Sequence, residues 1–372
     1  MELWQQELQQ CVRTLDQLER FVAIGDRDEM KRVLANMRLS ITPHTLKLID
    51  FANLADPLLL MAVPQAKELS ITPEEMSDPI GDDAKSPVPF LTHRYPDRVL
   101  IYVTFSCSHY CRFCFRREKT GAATPGPSTH DMDVIEQYLV AHPEVDEVIL
   151  TGGDPLTLLD AQIEDWLVRL RRVPTISRIR FHTRVPVNLP SRITDNLVEI
   201  FKRHQDATQP IFVVTHFNHP REIATENVEA IARFVNAGVV VRNQSVLLRG
   251  INDDTATLTA LFKTLTNVRV VPYYLHQLDL ARGTNHFRVP IAKGIDLMRQ
   301  LQGAVTGIAL PRYMLDLPGG KGKVPLTHPF VRPLHVSPPH REEGSGVVDA
   351  PSRDWTADSP FGETVQYNEP ST

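Results

Sequence analysis

A short stretch of the chain holds three of its four cysteines. They are Cys107, Cys111 and Cys114, in the sequence CSHYCRFCFRR, and the fourth is the distant Cys11. Thiolates are soft ligands that favour iron-sulfur clusters, zinc or copper(I), so this grouping indicates one metal centre. A four-iron cluster usually takes four cysteines, and a cluster held by three leaves one iron able to bind and activate another molecule. The missing fourth ligand therefore favours a catalytic cluster.

A structural zinc site is the main alternative, with His109 completing a Cys3His set. Zinc sites of that kind usually gather their ligands from two separated pairs, and no second Cys or His pair lies nearby at that spacing. A disulfide framework fits less well, because three clustered cysteines and one distant cysteine make a poor set of bridges. The same arrangement indicates a reducing compartment.

The bulk composition allows one large domain with extensions. The chain has 372 residues, of which 42% are hydrophobic, which is enough for a full core. Its 40 basic and 45 acidic residues give a net charge of -5, so charge predicts neither nucleic acid nor a membrane surface as a partner. The N-terminal MELWQQELQQ lacks the pattern of a signal peptide, and no apolar run reaches the ~20 residues that span a bilayer. We therefore expect a cytoplasmic protein.

Short β-rich runs alternate with amphipathic helical stretches from Arg98 onward, which is the pattern of repeated βα units on a parallel sheet. Strands are predicted at 99–105, 147–151, 176–182, 211–215, 239–245 and 268–275. Helices are predicted near 131–142, 160–172, 194–204, 221–236, 255–266 and 291–304. Six consecutive units favour the α/β class and a partial (βα)6 TIM-like barrel, in which functional groups gather at the C-terminal ends of the strands. The cysteine loop directly follows the first of these strands.

The segments on either side of the predicted barrel differ from it in composition. Residues 1–69 repeat apolar residues at spacings of three and four, which predicts an N-terminal helical arm. Residues 70–92 are rich in proline, acids and small polar residues, as a linker is. Residues 93–332 would form the barrel. Residues 333–372 are rich in Pro, Ser, Gly and charge, and we expect a disordered C-terminal tail there.

Polar motifs at the predicted strand ends, and the segments next to them, resemble those of a known family. The motifs are RYPDR (94–98), the cysteine loop, TGGDPL (151–156), HTRVPV (182–187), THFNHP (215–220), NQSVLLRGIND (243–253), PYYLHQLDL (272–280) and LDLPGGKGK (315–323). Their order and length are similar to those of the lysine 2,3-aminomutase family of radical S-adenosylmethionine (SAM) enzymes. The CxxxCxxC spacing is the one that radical SAM enzymes use for their cluster. The resemblance covers roughly residues 90 to 330.

The resemblance implies three cofactors: a [4Fe-4S] cluster, S-adenosylmethionine and pyridoxal 5'-phosphate. Reductive cleavage of S-adenosylmethionine would give a 5'-deoxyadenosyl radical, which takes a hydrogen atom from the β-carbon of an amino acid joined to pyridoxal phosphate. The amino group then moves from C2 to C3, while the protein orients the reactants and excludes water and oxygen. The resemblance also implies an electron donor such as flavodoxin or ferredoxin, and it leaves a homo-oligomer open.

The resemblance also implies roles for individual residues. The three clustered cysteines would hold the cluster, and Lys323 would bond covalently to pyridoxal phosphate. Lys321 stands where the family usually has glycine. The other implied cofactor-binding residues are Arg94, Arg98 and Gln244 at the phosphate of pyridoxal phosphate, Gly152, Gly153 and Asp154 at the methionyl group of S-adenosylmethionine, and His216. An ordinary helix cap at a βα turn is the alternative role of Asp154.

Substrate choice would depend on Arg116, Asp279 and Asp316. Arg116 would pair with the α-carboxylate, and the two aspartates with the distal ammonium of lysine. A glutamate-acting relative would be expected to replace both acids, and a turn or cap role is the alternative for each. His276 lies where lysine-catabolic enzymes tend to have tyrosine, and Phe113 where they have histidine. At both positions the chain is closer to shorter relatives that make β-lysine for elongation factor P.

Three interpretations of function follow from these motifs. The first is an L-lysine 2,3-aminomutase, an isomerase that makes β-lysine. The second keeps the chemistry but uses another amino acid, or supplies β-lysine for the modification of elongation factor P. The third is a zinc- or cluster-containing binding protein without turnover, which would have no reason to keep Lys323 and the three substrate residues in register.

Overall fold

The computed structural model describes residues 1–120, 125–327, 329–333, 354–358 and 364–368. Its main feature is a nine-stranded sheet in which neighbouring strands follow the order of the chain. The strands are β1 (Leu91–Tyr95), β2 (Arg98–Thr104), β3 (Glu147–Gly152), β4 (Arg178–His182), β5 (Ile211–Thr215), β6 (Val240–Leu247), β7 (Val271–Gln277), β8 (Arg312–Leu317) and β9 (Gly322–Pro325). Strands β2 to β8 run parallel, and β1 and β9 are antiparallel at the two edges.

Helices of the βα units pack on the parallel strands, and the N-terminal arm contributes further helices. The helices are α1 (Leu3–Gln9), α2 (Leu15–Leu18), α3 (Arg27–Asn36), α4 (Pro43–Leu48), α5 (Pro57–Ala62), α6 (Thr129–Ala141), α7 (Asp160–Arg172), α8 (Val185–Asn188), α9 (Asp195–Arg203), α10 (Thr225–Asn236), α11 (Thr255–Asn267) and α12 (Ile291–Ala304). Helix α7 shows why they form, because Ile163, Trp166, Leu167 and Leu170 recur at helical spacing and are buried. Strand β3 is buried at every position, as a strand covered on both faces should be. The α/β class and the partial barrel are confirmed.

The sheet has three more strands than its sequence pattern predicts, namely β1, β8 and β9, and it stays open. Strands β8 and β9 form an antiparallel pair across a turn in which Gly319 and Gly320 have positive φ. Within the described part of the chain, β9 does not pair with β1. The hydroxyl of Tyr95 on β1 instead accepts a hydrogen bond from the backbone N–H of Lys323 at 2.9 Å. The two edges therefore meet through a side chain, next to the predicted cofactor lysine.

The N-terminal arm packs as a second apolar cluster against one side of the barrel. Buried residues of the arm, such as Ile41 and Met61, share this cluster with Phe113 of the cysteine loop and with Leu248 and Leu278 of the barrel. The arm is helical, as its apolar spacing predicts. It therefore forms part of the surroundings of the cysteine loop.

Residues 70–90 are irregular and mostly exposed or half-buried, as their composition predicts, but a few of them are buried against the barrel. Glu75, Ile80 and Asp82 are buried. The carboxylate of Glu75 accepts hydrogen bonds from the backbone N–H groups of Gly283 and Thr284, at 3.3 and 3.1 Å. Glu75 and Asp82 are exceptions to the expectation that acidic residues face water, because each has partners elsewhere in the fold.

The predicted disordered tail falls largely on residues 334–353, 359–363 and 369–372, which lie outside the described residues. The described part of this region forms a second, antiparallel sheet. Its strands are β10 (Val331–Pro333), β11 (Asp354–Asp358) and β12 (Thr364–Asn368). In the ranges that the structure describes, no helix is both long and apolar enough to cross a bilayer.

Candidate active site

The three clustered cysteines lie on the loop that follows β2, at the C-terminal end of that strand. All three are free thiols. Burial raises the pKa of Cys107 well above its usual value, and Asp154, Cys114 and Cys111 add to the rise. Burial likewise raises the pKa of Cys111 to about 11, although Arg184 opposes it. Thiols this close and this poorly solvated would be stabilised as thiolates by a cation, which the charge of a bound metal supplies.

The donor set fits an iron-sulfur cluster better than the zinc alternative. Among the described residues, no three His, Cys, Asp or Glu side chains surround a point suited to a single metal ion. His109, the fourth ligand of the zinc alternative, is buried, and burial lowers its pKa well below the usual value. Three soft thiols on one loop match a cluster with three protein ligands, whereas a zinc site would need His109 as its fourth ligand.

Arg184, at the end of β4, was not assigned a role from the sequence. Its Nη1 donates a hydrogen bond to Sγ of Cys111 at 2.8 Å, and its Nε donates one to the backbone carbonyl of His216 at 3.0 Å. The same guanidinium pairs with Glu222. A guanidinium against a sulfur atom favours its thiolate form. The only signal in the sequence was a strand-end arginine in the motif HTRVPV.

The cysteine loop is fixed to the arm by buried charges. Glu68 accepts a hydrogen bond from Nη2 of Arg112 at 2.6 Å and one from Nη2 of Arg117 at 2.5 Å. The side chains of Glu68 and Arg112 are 1% and 0% exposed. The backbone N–H of Tyr110 also donates to the carbonyl of Ser40 at 3.1 Å. We call Glu68, Arg112 and Arg117 the buried ion triad, and it holds the loop from both sides of Cys114.

The turn after β3, which contains Gly152, Gly153 and Asp154, contacts the start of the cysteine loop through backbone hydrogen bonds. A Cβ at Gly152, whose φ is +117°, would lie 2.2 Å from the carbonyl oxygen of Thr104, so this close approach requires glycine. The carboxylate of Asp154 accepts hydrogen bonds from the backbone N–H of Leu156 at 3.1 Å and of Arg184 at 2.6 Å. Asp154 therefore does cap the turn after β3, and it also ties β3 to β4.

Of the two lysines that follow the glycine-rich turn, Lys323 is the one whose side chain lies in the site. Its ammonium donates a hydrogen bond to Oδ2 of Asp316, and its side chain is 28% exposed. Lys321 is exposed on the surface. Nδ1 of His276 lies 3.7 Å from the same oxygen of Asp316. Burial lowers the pKa of His276 to about 3, with Lys323 as the second cause, so the imidazole is neutral.

The three residues predicted to bind the phosphate of pyridoxal phosphate do not all lie together in the structure. Nη1 of Arg94 is 3.6 Å from Asp316. Nε2 of Gln244 is 3.5 Å from Nδ1 of His182. Arg98 lies at the start of β2, the opposite end of that strand from the cysteine loop, and its guanidinium stacks on Tyr95 at 3.8 Å. The hydroxyl of the same Tyr95 accepts a hydrogen bond from the backbone N–H of Lys323, so Tyr95 lies between Arg98 and the predicted cofactor lysine.

Buried polar atoms without partners mark where a ligand would fit. In the described ranges, the following atoms of the site have no hydrogen-bond partner within the protein: Nε of Arg94, Nε2 of His182, Nε2 of His216 and Oδ1 of Asp316. Buried polar atoms are rarely left in this state unless a ligand or water completes them. One guanidinium donor, one carboxylate acceptor and two imidazole nitrogens fit a polar group such as pyridoxal phosphate, which carries a phosphate and a ring nitrogen.

The substrate residues predicted from the sequence come together. Arg116 donates to Oγ1 of Thr151 at 3.3 Å, and its Nη2 is 3.1 Å from Asp82, which sequence reasoning missed. Burial raises the pKa of Asp279 to about 7, and the carboxylate of Asp316 adds to the rise while Lys323 and Arg116 oppose it. These influences show that the four ionisable groups share one site. Its chemistry suits a molecule with one carboxylate and an additional cation.

Comparisons with known proteins find similar sequences over most of this chain. The sequence model of the radical SAM superfamily matches residues 101–262. The L-lysine 2,3-aminomutase of Acetoanaerobium sticklandii is 40% identical over 88% of this chain and 79% of its own length. The glutamate 2,3-aminomutase of Clostridioides difficile is 37% identical over 87% of this chain and 75% of its own. The L-lysine 2,3-aminomutase of Escherichia coli is 36% identical over 87% of this chain and 94% of its own.

Proposed function

We propose that this chain, which belongs to the lysine 2,3-aminomutase family of radical SAM enzymes, converts L-lysine to β-lysine by moving the amino group from C2 to C3. The observation that carries the proposal is the presence of Arg116, Lys323, Asp279 and Asp316 in one site. When bound, the cluster with S-adenosylmethionine supplies an organic radical, and pyridoxal phosphate supplies the π system across which the amino group moves. The protein's own part is to bind, orient and exclude water.

The cluster side of the site is proposed to be the cysteine loop with its supports. Cys107, Cys111 and Cys114 would hold three irons, and Arg184 would offset the negative charge at Cys111. The close approach of Gly152 and Gly153 to the start of the loop would fix the shape of the turn that meets a methionyl group. Asp154 uses its carboxylate within the protein, so its contribution to S-adenosylmethionine would come chiefly through the geometry of the turn.

Lys323 is proposed to carry pyridoxal phosphate. Arg94, Gln244 and His216 would bind the rest of that molecule, because Arg94 and His216 have buried atoms still lacking partners. Arg98 is proposed to act through Tyr95, on which it stacks. A phosphate contact by Arg98 itself stays a prediction.

The choice of lysine over glutamate is supported by Asp279 and Asp316. In this structure Asp316 already accepts an ammonium group, that of Lys323, so it is suited to accept the distal ammonium of a bound lysine. A glutamate substrate would bring a second carboxylate against two aspartates, which is repulsive. Since a relative at 37% identity is named a glutamate 2,3-aminomutase, this pair of acids is the feature that favours lysine here.

The use to which the β-lysine is put is a separate proposal. Phe113 is buried between the rings of His216 and Phe287, at centroid distances of 5.6 and 6.4 Å, so it has a packing role that histidine would fill less well. Phe113 and His276 favour supply of β-lysine for elongation factor P as a second candidate. A binding protein without turnover would not need the ionisable residues of the site.

An electron donor such as flavodoxin or ferredoxin is the proposed protein partner. A cavity of about 630 Å³ lies beside Cys107, and Arg13 and Arg38 of the arm line it. Positive charge there would attract an acidic carrier. We also propose a cytoplasmic location, in keeping with reduced cysteines. A homo-oligomer stays a prediction that gel filtration would test.

The test is anaerobic reconstitution of the full chain with iron, sulfide and pyridoxal phosphate, followed by incubation with S-adenosylmethionine, a reductant and either lysine or glutamate. We expect β-lysine and no β-glutamate. Asp316→Asn should lose lysine turnover while keeping the iron content of the wild-type protein, because Asp316 lies away from the cysteines. Formation of β-glutamate, or of no β-amino acid from a fully loaded protein, would contradict the proposal.

A further inference from the structure

Residues 78–86 form a turn, which we call the Asp82 loop, that contacts two parts of the candidate site. Asp78 closes the loop, because its carboxylate accepts hydrogen bonds from the backbone N–H groups of Asp82 and Asp83 at 3.0 and 2.9 Å. Asp82 itself is only 3% exposed. Burying an ionised carboxylate costs free energy unless cations pair with it, so the residues that pair with Asp82 indicate its role.

Asp82 lies between two arginines of the site. Its Oδ1 accepts a hydrogen bond from Nη2 of Arg94 at 2.7 Å, and its Oδ2 accepts two from Arg116, at 3.1 Å from Nη2 and 3.3 Å from Nε. Burial raises the pKa of Asp82, but Arg116, a hydrogen bond with Tyr102, and Arg94 outweigh burial and lower it. The carboxylate is therefore charged, and it links the arginine proposed for the cofactor to the arginine proposed for the substrate.

These contacts leave Arg116 with a defined pair of free donors. A guanidinium has five N–H donors. Nε and one N–H of Nη2 point to Asp82, and one N–H of Nη1 points to Oγ1 of Thr151. Among the described residues, one N–H on each Nη has no hydrogen-bond partner and is left to bind a ligand. That pair is the fork that binds one carboxylate through both of its oxygens.

The Asp82 loop also supports the turn that precedes Lys323. Gly81 has a positive φ of +67°, and a Cβ there would lie 2.4 Å from the backbone nitrogen of Gly320 and 2.5 Å from the carbonyl carbon of Gly319. The backbone of the loop therefore packs directly on the glycine turn. One short loop thus sets the orientation of Arg116 and supports the position of Lys323.

We propose that Asp82 is a positioning residue that makes the site selective for substrates with an α-carboxylate. It holds the side of the Arg116 guanidinium so that only the end fork is free, and a carboxylate bound there lies in a fixed direction from Lys323. The inference rests on the proposed function, because it assumes that Arg116 binds the carboxylate of lysine. Asp82 would not touch the reacting atoms.

The experiment compares two probes on the protein loaded with pyridoxal phosphate, without S-adenosylmethionine so that no turnover occurs. The probes are lysine and 1,5-diaminopentane, which is lysine without its carboxylate, and binding is followed by the absorbance of the cofactor. In Asp82→Asn the affinity for lysine should fall by at least about tenfold, as expected when a charge pair loses its geometry, while that for diaminopentane changes by less than about twofold. Asp82→Glu, which keeps the charge, should recover part of the loss.

Asp83→Asn is the matched control. Asp83 is the next residue of the loop, its side chain is 69% exposed, and it pairs with Lys119 on the surface. This variant should bind both probes as the wild type does. Equal weakening of both probes in Asp82→Asn, or no change in either, would overturn the positioning role. A wild-type protein that binds diaminopentane as tightly as lysine would instead overturn the assignment of Arg116, and with it the proposed function.

Discussion

The raised pKa of Asp279 predicts how lysine binding should depend on pH. Asp279 must be ionised to pair with the distal ammonium of lysine, and its pKa in the ligand-free site is about 7. Because the pKa is raised, the neutral acid predominates below this value and the carboxylate above it. Affinity for lysine should therefore rise with pH through neutrality. The ionised fraction is roughly 0.1 at pH 6 and roughly 0.9 at pH 8, which corresponds to an increase in affinity of about tenfold.

Norleucine separates this effect from other titrations. It has the α-amino and α-carboxylate groups of lysine and a side chain without the ammonium, so titration of the α-amino group affects both ligands alike. The ratio of the two affinities, measured by calorimetry on protein loaded with pyridoxal phosphate but lacking S-adenosylmethionine, should carry the pH dependence. Asp279→Asn should remove that dependence and lower the ratio at pH 8. A ratio that stays constant from pH 6 to pH 8 in the wild type would refute the reasoning.

Two further predictions test the cofactor lysine and the cysteine loop. Lys323→Ala should lose the visible absorbance of bound pyridoxal phosphate, whereas Lys321→Ala, the exposed neighbour, should keep it; the reverse result would move the assignment to Lys321. Glu68→Gln should lower the free energy of unfolding by about 3–5 kcal/mol, because Arg112 and Arg117 would lose a buried counter-charge. Interactions with the arginines lower the pKa of Glu68, so the stabilisation is present above the usual value of 4.5 and lost as acid protonates the folded protein. Denaturation of the wild type and the variant at two pH values checks this. If the two proteins differed in unfolding free energy as much in acid, where Glu68 is protonated, as at neutral pH, the prediction would be contradicted.

The pattern of the barrel could be predicted because apolar periodicity reports burial. Helices α7 and α12 have the bounds that the spacing predicts, 160–172 and 291–304. The start of β7 was predicted at 268 and lies at Val271. Val268 and Val270 are apolar, but Arg269 between them has a positive φ of 64°, so this stretch is the turn between α11 and β7. Hydrophobicity alone does not distinguish a buried turn from a strand.

The charged framework of the site could not be predicted in the same way. Motifs identified Arg116, Asp279, Asp316 and Lys323, and the structure brings these four together. Asp82 was assigned to a linker, because nothing in the local sequence shows that an acid has a buried arginine 34 residues away. The buried ion triad was missed for the same reason. Pairing between distant charges depends on the fold, and acidic residues in isolation are more often solvated.

The position of Lys323 on the last strand of the main sheet has a consequence for the order in which the protein is assembled. Synthesis proceeds from the N-terminus, and early segments can fold before late ones emerge. The contacts that join the arm to the cysteine loop involve only the first 117 residues. Lys323 reaches Tyr95 only after β8 and β9 have paired, which needs nearly the whole barrel. Pyridoxal phosphate therefore has no complete binding site until nearly the whole barrel has been synthesised.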